Sequence, residues 1–123
     1  MREKNKIVEK LDRNLAKLGD AIINFVISAA LTMFYRKPTG LKVKNETLKS
    51  AWLSVYDRAG IKRGFMSPQD LAEAYIAYLW LNDKLKIENA VKMCAKRISE
   101  ISPSSRKEVE KAIQMCIEDL LKI

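Results

Sequence analysis

The chain has 123 residues, 48% of them apolar and 31% charged, which describes one folded domain with a core of its own rather than two modules or a disordered polyelectrolyte. It has no histidine and only two cysteines, Cys94 and Cys116, without CxxC spacing, so a zinc site, a histidine general base and thiol nucleophile chemistry are set aside together. The net charge of +8 favours polyanionic partners such as nucleic acid, although a basic pI also fits a protein that is merely soluble.

The N-terminal stretch MREKNKIVEKLDRN alternates charge and leads into no signal-peptide core or cleavage site, so a cytoplasmic protein is expected. Apolar residues then recur at 7, 8, 11, 15, 18, 22, 25, 26, 29 and 33, a helical period that keeps its phase through Gly19. Glycine inside a helix costs about 1 kcal/mol against alanine, so Gly19 implies close approach by another backbone or a ligand. The uncharged stretch from Ala21 to Phe34, interrupted by Asn24 and Ser28, is shorter than the roughly 18–20 residues of a membrane span and reads as a buried helix. No membrane partner is expected. RKPTG breaks the helix at Pro38. A second helix is expected from an N-cap at Asn45 through Leu48, Trp52 and Val55 to Gly60, followed by the turn IKRGFMSP. Ser67 as N-cap, Pro68 at the first helical position and Asp70 three residues after the cap open the next helix, LAEAYIAYLWL. Ile87, Val91, Cys94 and Ile98 mark another, and a Ser105 to Glu108 capping box opens the last. Both cysteines sit among apolar neighbours and read as core. With no segment that reads as a strand, the expectation is an all-α single domain of five to six helices without an internal repeat.

Three carboxylates stand out against this apolar background, and each has two readings. Asp70 fits a capping box, where the helix dipole stabilises it, or a cation site. Glu73 lies one turn on, between alanines, at a spacing where like charges repel by a few tenths of a kcal/mol unless a cation is shared. Asp20 would be an N-cap only if the helix restarted after Gly19, which the unbroken period argues against. The arc of Leu18, Ile22, Ile23, Phe25, Val26 and Ile27 is broad enough for either a fully buried central helix or a contact with a second subunit.

Taken in order, RNLAKLGDAIINF, LKVKNETLKSAW and PQDLAEAYIAYLWL resemble the nuclease domain of the ribonuclease III family. That family carries E-R-L-E-F-L-G-D, then a basic loop with a segment like L-V-x-N-E-T-L-A, then A-D-x-x-E-A-x-x-G-A-x-Y-L. The resemblance covers roughly residues 11–100. It implies a metal-dependent endonuclease that cuts double-stranded RNA as a homodimer, one strand per site, leaving a 5′ phosphate and a 3′ hydroxyl, plausibly in processing precursor RNA such as ribosomal RNA. It implies that Asp20, Asp70 and Glu73 hold Mg²⁺, with Mn²⁺ as a substitute and no organic cofactor, and that Gly19 lies at a tight helix crossing with Leu18, Ile22 and Ile23 at the dimer interface. The expected RNA contacts are Arg36, Lys37, Lys42, Lys44, Lys49, Arg58, Lys62 and Arg63, in the connections around the second helix. Recognition of that kind reads A-form shape and weakens with salt.

The departures from the family pattern are specific. Where the family has glutamates four and seven residues before the signature aspartate, this chain has Ala16 and Arg13. Asn24, one turn beyond Asp20, could supply an oxygen in compensation, as a poorer ligand than a carboxylate. The helices ahead of the signature are expected to be shortened and the appended RNA-binding module absent, as in mini-ribonuclease III. A catalytically weakened fold that binds RNA or a ribonucleoprotein therefore stands as the alternative, with a small helical interaction module behind it.

Overall fold

The computed structural model describes residues 2–57 and 66–123. The elements are α1 (Arg2–Glu9), α2 (Arg13–Tyr35), α3 (Asn45–Trp52) with a π-helical turn at Leu53–Asp57, α4 (Pro68–Leu81), α5 (Ile87–Ile101) and α6 (Arg106–Leu121). The domain is all-α, with six α-helices and no strand among the described residues.

The apolar period that runs from Ile7 to Met33 spans two helices where one was expected. The chain leaves the helix after Glu9, and Asp12, in an extended conformation, caps α2 by accepting the Leu15 N–H at 2.8 Å. Ile7, Val8 and Leu11 still pack into the same core, so the spacing survives the break. The helix does continue through Gly19, and Asp20 is not a cap.

At 23 residues α2 is long and apolar enough, by length and composition, to cross a membrane, which the shorter uncharged stretch did not suggest. Its Ile23, Val26, Ile27, Ala30 and Leu31 are buried, packed mainly by α4 and α5, which is how the central helix of a core behaves. α4 has no polar face to offer. Every residue from Leu71 to Ala77 is buried, as expected of a helix covered on all sides, here by α2 and α3.

Aromatic residues close the other side. Trp52, Tyr56 and Tyr75 meet with ring centroids 4.4–6.2 Å apart, and the Tyr56 hydroxyl donates to the Leu121 carbonyl, tying the end of α3 to the end of α6. Arg97 holds α5 to α6 through a two-pronged ion pair with Asp119 at 2.8 and 2.9 Å. Cys94 and Cys116 are buried between those two helices as expected, the Cys116 thiol donating to the Cys94 carbonyl.

One long connection positions the site. After Arg36 turns the chain in the left-handed conformation (φ 57°), residues 39–43 lie back along α2. The N–H groups of Thr39, Leu41 and Val43 are accepted by Thr32 Oγ1 (2.9 Å), Ser28 Oγ (3.0 Å) and Asn24 Oδ1 (2.7 Å). Four helical residues advance about 6 Å and two extended residues about 6.6 Å, so a polar row at every fourth helical position matches alternate residues of the strap. Asn45, expected as the cap of α3, is instead its first residue. Lys44 occupies the cap because its carbonyl already accepts the first helical bonds, from Thr47 and Leu48. The expected end of this helix at Gly60 lies outside the described residues, as do residues 61–65 of the following turn.

Candidate active site

α2 and α4 cross at Gly19. A Cβ on this residue would lie 1.8 Å from the carbonyl oxygen of Glu73, so the two backbones meet at a distance only glycine permits. The close approach that glycine implied is therefore to another backbone. Asp20 follows Gly19 directly and Glu73 is the residue touched, so the crossing brings two carboxyl groups from distant parts of the chain side by side.

Glu73 is the one buried charged residue among those described, 7% exposed. Burial first, then a hydrogen bond with Asp20 and the negative charges of Asp20 and Asp70, push its carboxyl from the ordinary 4.5 up to about 8, with Lys42 acting in the opposite direction. A carboxyl held at about 8 keeps its proton for the most part at neutral pH, so the cleft carries about one negative charge fewer than its residue count suggests.

Asp70 stands one turn before Glu73, half-buried. Its backbone N–H donates to Ser67 Oγ at 3.3 Å, which is the expected cap. In the capping box of α6 the Glu108 carboxylate receives a return bond from Ser105 at 3.0 Å. Asp70 makes no such bond and instead faces the same cleft as Asp20 and Glu73. Its backbone does the capping and its carboxylate is left over for the site.

The cleft is open, about 390 Å³ in volume, and its wall is completed by Arg13, Ala16, Lys17, Lys42 and Asn45. Asn24, the expected additional ligand, is engaged in two hydrogen bonds. Its amide oxygen accepts the Val43 N–H and its NH₂ donates to Asp20 Oδ1 at 3.1 Å, so it orients Asp20 and anchors the strap that carries Lys42.

A model of the family described as Ribonuclease III matches residues 13–123. The chain belongs to the ribonuclease III family. No curated protein matches it. The match takes in all of α6, beyond the stretch over which the motifs were legible, and it supports an endonuclease acting on RNA. Within this ribonuclease III fold, the position four before Asp20 is Ala16, 6% exposed in the cleft wall, with no oxygen to offer.

The donors of the site are carboxylate oxygens, which suit a hard cation of the magnesium or manganese kind. Asp20 and Glu73 lie side by side in the cleft. Among the described residues, however, no three acidic or cysteine side chains stand close enough together to hold a metal ion as placed.

The other expected residues are scattered. Arg36 and Lys37 lie at the far end of α2, about 24 Å along the helix from Asp20. Lys44 is paired with Glu110, and Lys49 is exposed on α3. Lys42 alone of this set lines the cleft, while Arg58, Lys62 and Arg63 lie outside the described residues. Gly19, Ile22 and Ile23, expected at a subunit contact, are buried within the chain, and Leu18 is partly buried. The large apolar residues that α2 exposes are Phe25, Met33 and Tyr35. Arg13 and Lys17 were missed as site residues. Both share a helix face with Asp20, seven and three positions before it, and that spacing was there to be read.

Proposed function

We propose that this chain is a metal-dependent endonuclease of double-stranded RNA, acting in the cytoplasm on precursor RNA such as ribosomal RNA. Asp20, Asp70 and Glu73 would hold Mg²⁺ or Mn²⁺, with no organic cofactor. The observation that carries this is the Gly19 crossing, which puts Asp20 against Glu73 in a cleft that Asp70 also faces and that basic side chains line. A cluster of like charge around a buried carboxyl has no structural benefit of its own, and a cation would reverse its cost. When bound, the cation would neutralise charge on the phosphodiester oxygens and supply an activated water. The chain itself contributes the carboxylates, the Asn24 bond that fixes Asp20, and the positive wall of the cleft. A homodimer would use the outward face of α2, where Phe25 and Met33 stand exposed about two turns apart.

The test is cleavage of a labelled RNA duplex by the wild type, Glu73→Gln and Asp20→Asn, with Mg²⁺, Mn²⁺ or EDTA, alongside sedimentation. Cutting that needs both the metal and both carboxylates is expected. Ala16 in the cleft wall favours one other reading, a weakened site that binds RNA without cutting it, and metal-independent binding with no cleavage would establish that instead.

A further inference from the structure

The cleft holds charges of both signs, Asp20, Asp70 and Glu73 lining it together with Arg13, Lys17 and Lys42. All three cations are exposed, and none makes an ion pair or a side-chain hydrogen bond with a described residue. Arg13 and Lys17 are one helical turn apart on α2, where like charges repel. Lys42 approaches them from the strap, held there by the bond from Val43 to Asn24. Three exposed cations lining one cleft with three carboxylates give a phosphate a place to sit beside a site suited to a cation.

We propose that Arg13, Lys17 and Lys42 form a phosphate subsite that seats a backbone phosphate of an RNA strand beside the carboxylates. The inference rests on the nuclease reading for its ligand but not for its test. Arg13 supplies a planar, two-pronged donor suited to phosphate oxygens, and the two lysines act as point charges. These residues position the strand and are not catalytic residues. The same chemistry would also accept the terminal phosphate of a strand end, so the two sources must be separated.

The experiment measures affinity of the full chain for a short labelled RNA duplex in EDTA, where cutting is suppressed, over a range of salt concentrations. The variants are Arg13→Ala, Arg13→Lys, Lys17→Ala and Lys42→Ala, with Lys92→Ala, outside the cleft on α5, as the control. All these positions are exposed, so the folds are expected to hold. Each alanine variant in the cleft should weaken binding severalfold and reduce the salt slope by about one, with partial rescue in Arg13→Lys and no such change in the control. Cleft variants indistinguishable from Lys92→Ala would overturn the subsite, even if the wild type cuts RNA in Mg²⁺. A wild type that never cuts but shows the Arg13 dependence would sink the nuclease and leave the subsite standing. Duplexes ending in 5′ hydroxyl and in 5′ phosphate should bind equally, whereas a requirement for the end phosphate would overturn the assignment to the backbone.

Discussion

A methyl group on Gly19 would collide with the carbonyl oxygen of Glu73, and because both atoms belong to helix backbones, neither can turn aside as a side chain would. Gly19→Ala must therefore push α2 and α4 apart. It should cost about 3 kcal/mol or more in urea unfolding, at the upper end of overpacking, and reduce cleavage in whatever fraction remains folded. The opposite experiment lies one turn earlier. Ala16 borders the cleft, so Ala16→Glu would add a fourth carboxylate to it. The metal-free variant should melt below the wild type because like charge is added, and Mn²⁺ should raise its Tm by more than it raises that of the wild type. An unchanged response to Mn²⁺ would mean that position 16 cannot reach a bound ion.

The row Asn24, Ser28 and Thr32 makes α2 a template for the strap, and its strongest member also holds Asp20. Replacing Asn24 with leucine leaves the Val43 N–H without its acceptor and Asp20 without its donor. About 1–3 kcal/mol of stability should be lost, with faster amide exchange at Val43. An unchanged exchange rate there would show that the bond does not hold the strap. In the sequence, Asn24 was read as an interruption of an apolar run and as a candidate ligand, and Ser28 only as an interruption, although a polar residue at every fourth position of a core helix is itself a sign that something polar lies along it. The caps of α4 and α6 were legible because Ser67, Pro68 and Ser105 act within a few residues of themselves. The break at Lys10–Asp12 was hidden because α1 and α2 feed the same core and keep the apolar spacing. For the site, Asp20, Asp70 and Glu73 were found as motifs, and Arg13 and Lys17 stand at helical spacing from Asp20, but that these groups meet Glu73 in one cleft depends on a crossing between residues more than 50 apart in the chain. No local pattern carries that.

At the scale of the whole molecule, the chain is basic by 8 charges yet concentrates acid at its most buried polar point, so folding works against Glu73 unless a proton or a cation is supplied. Its carboxyl is held at about 8 in the fold, against an ordinary 4.5. Between those values the folded chain keeps a proton that the unfolded chain releases. This contribution is therefore fully present below about 4.5, is lost as pH rises toward 8, and is flat above that. In EDTA, raising the pH from 6 to 9 should lower the Tm by roughly 5 °C or more, and most of that drop should vanish in Glu73→Gln, whose amide has no proton to lose. A divalent cation binds only the folded site, so adding Mg²⁺ or Mn²⁺ should restore Tm by mass action, most strongly at pH 9, where no proton competes for the Asp20–Glu73 pair. Glu73→Gln should lose that response while gaining stability in EDTA at high pH. The two effects together separate a carboxylate retained to hold a cation from one that merely tolerates burial, since a structural Glu73 would show the pH dependence with no response to the ion.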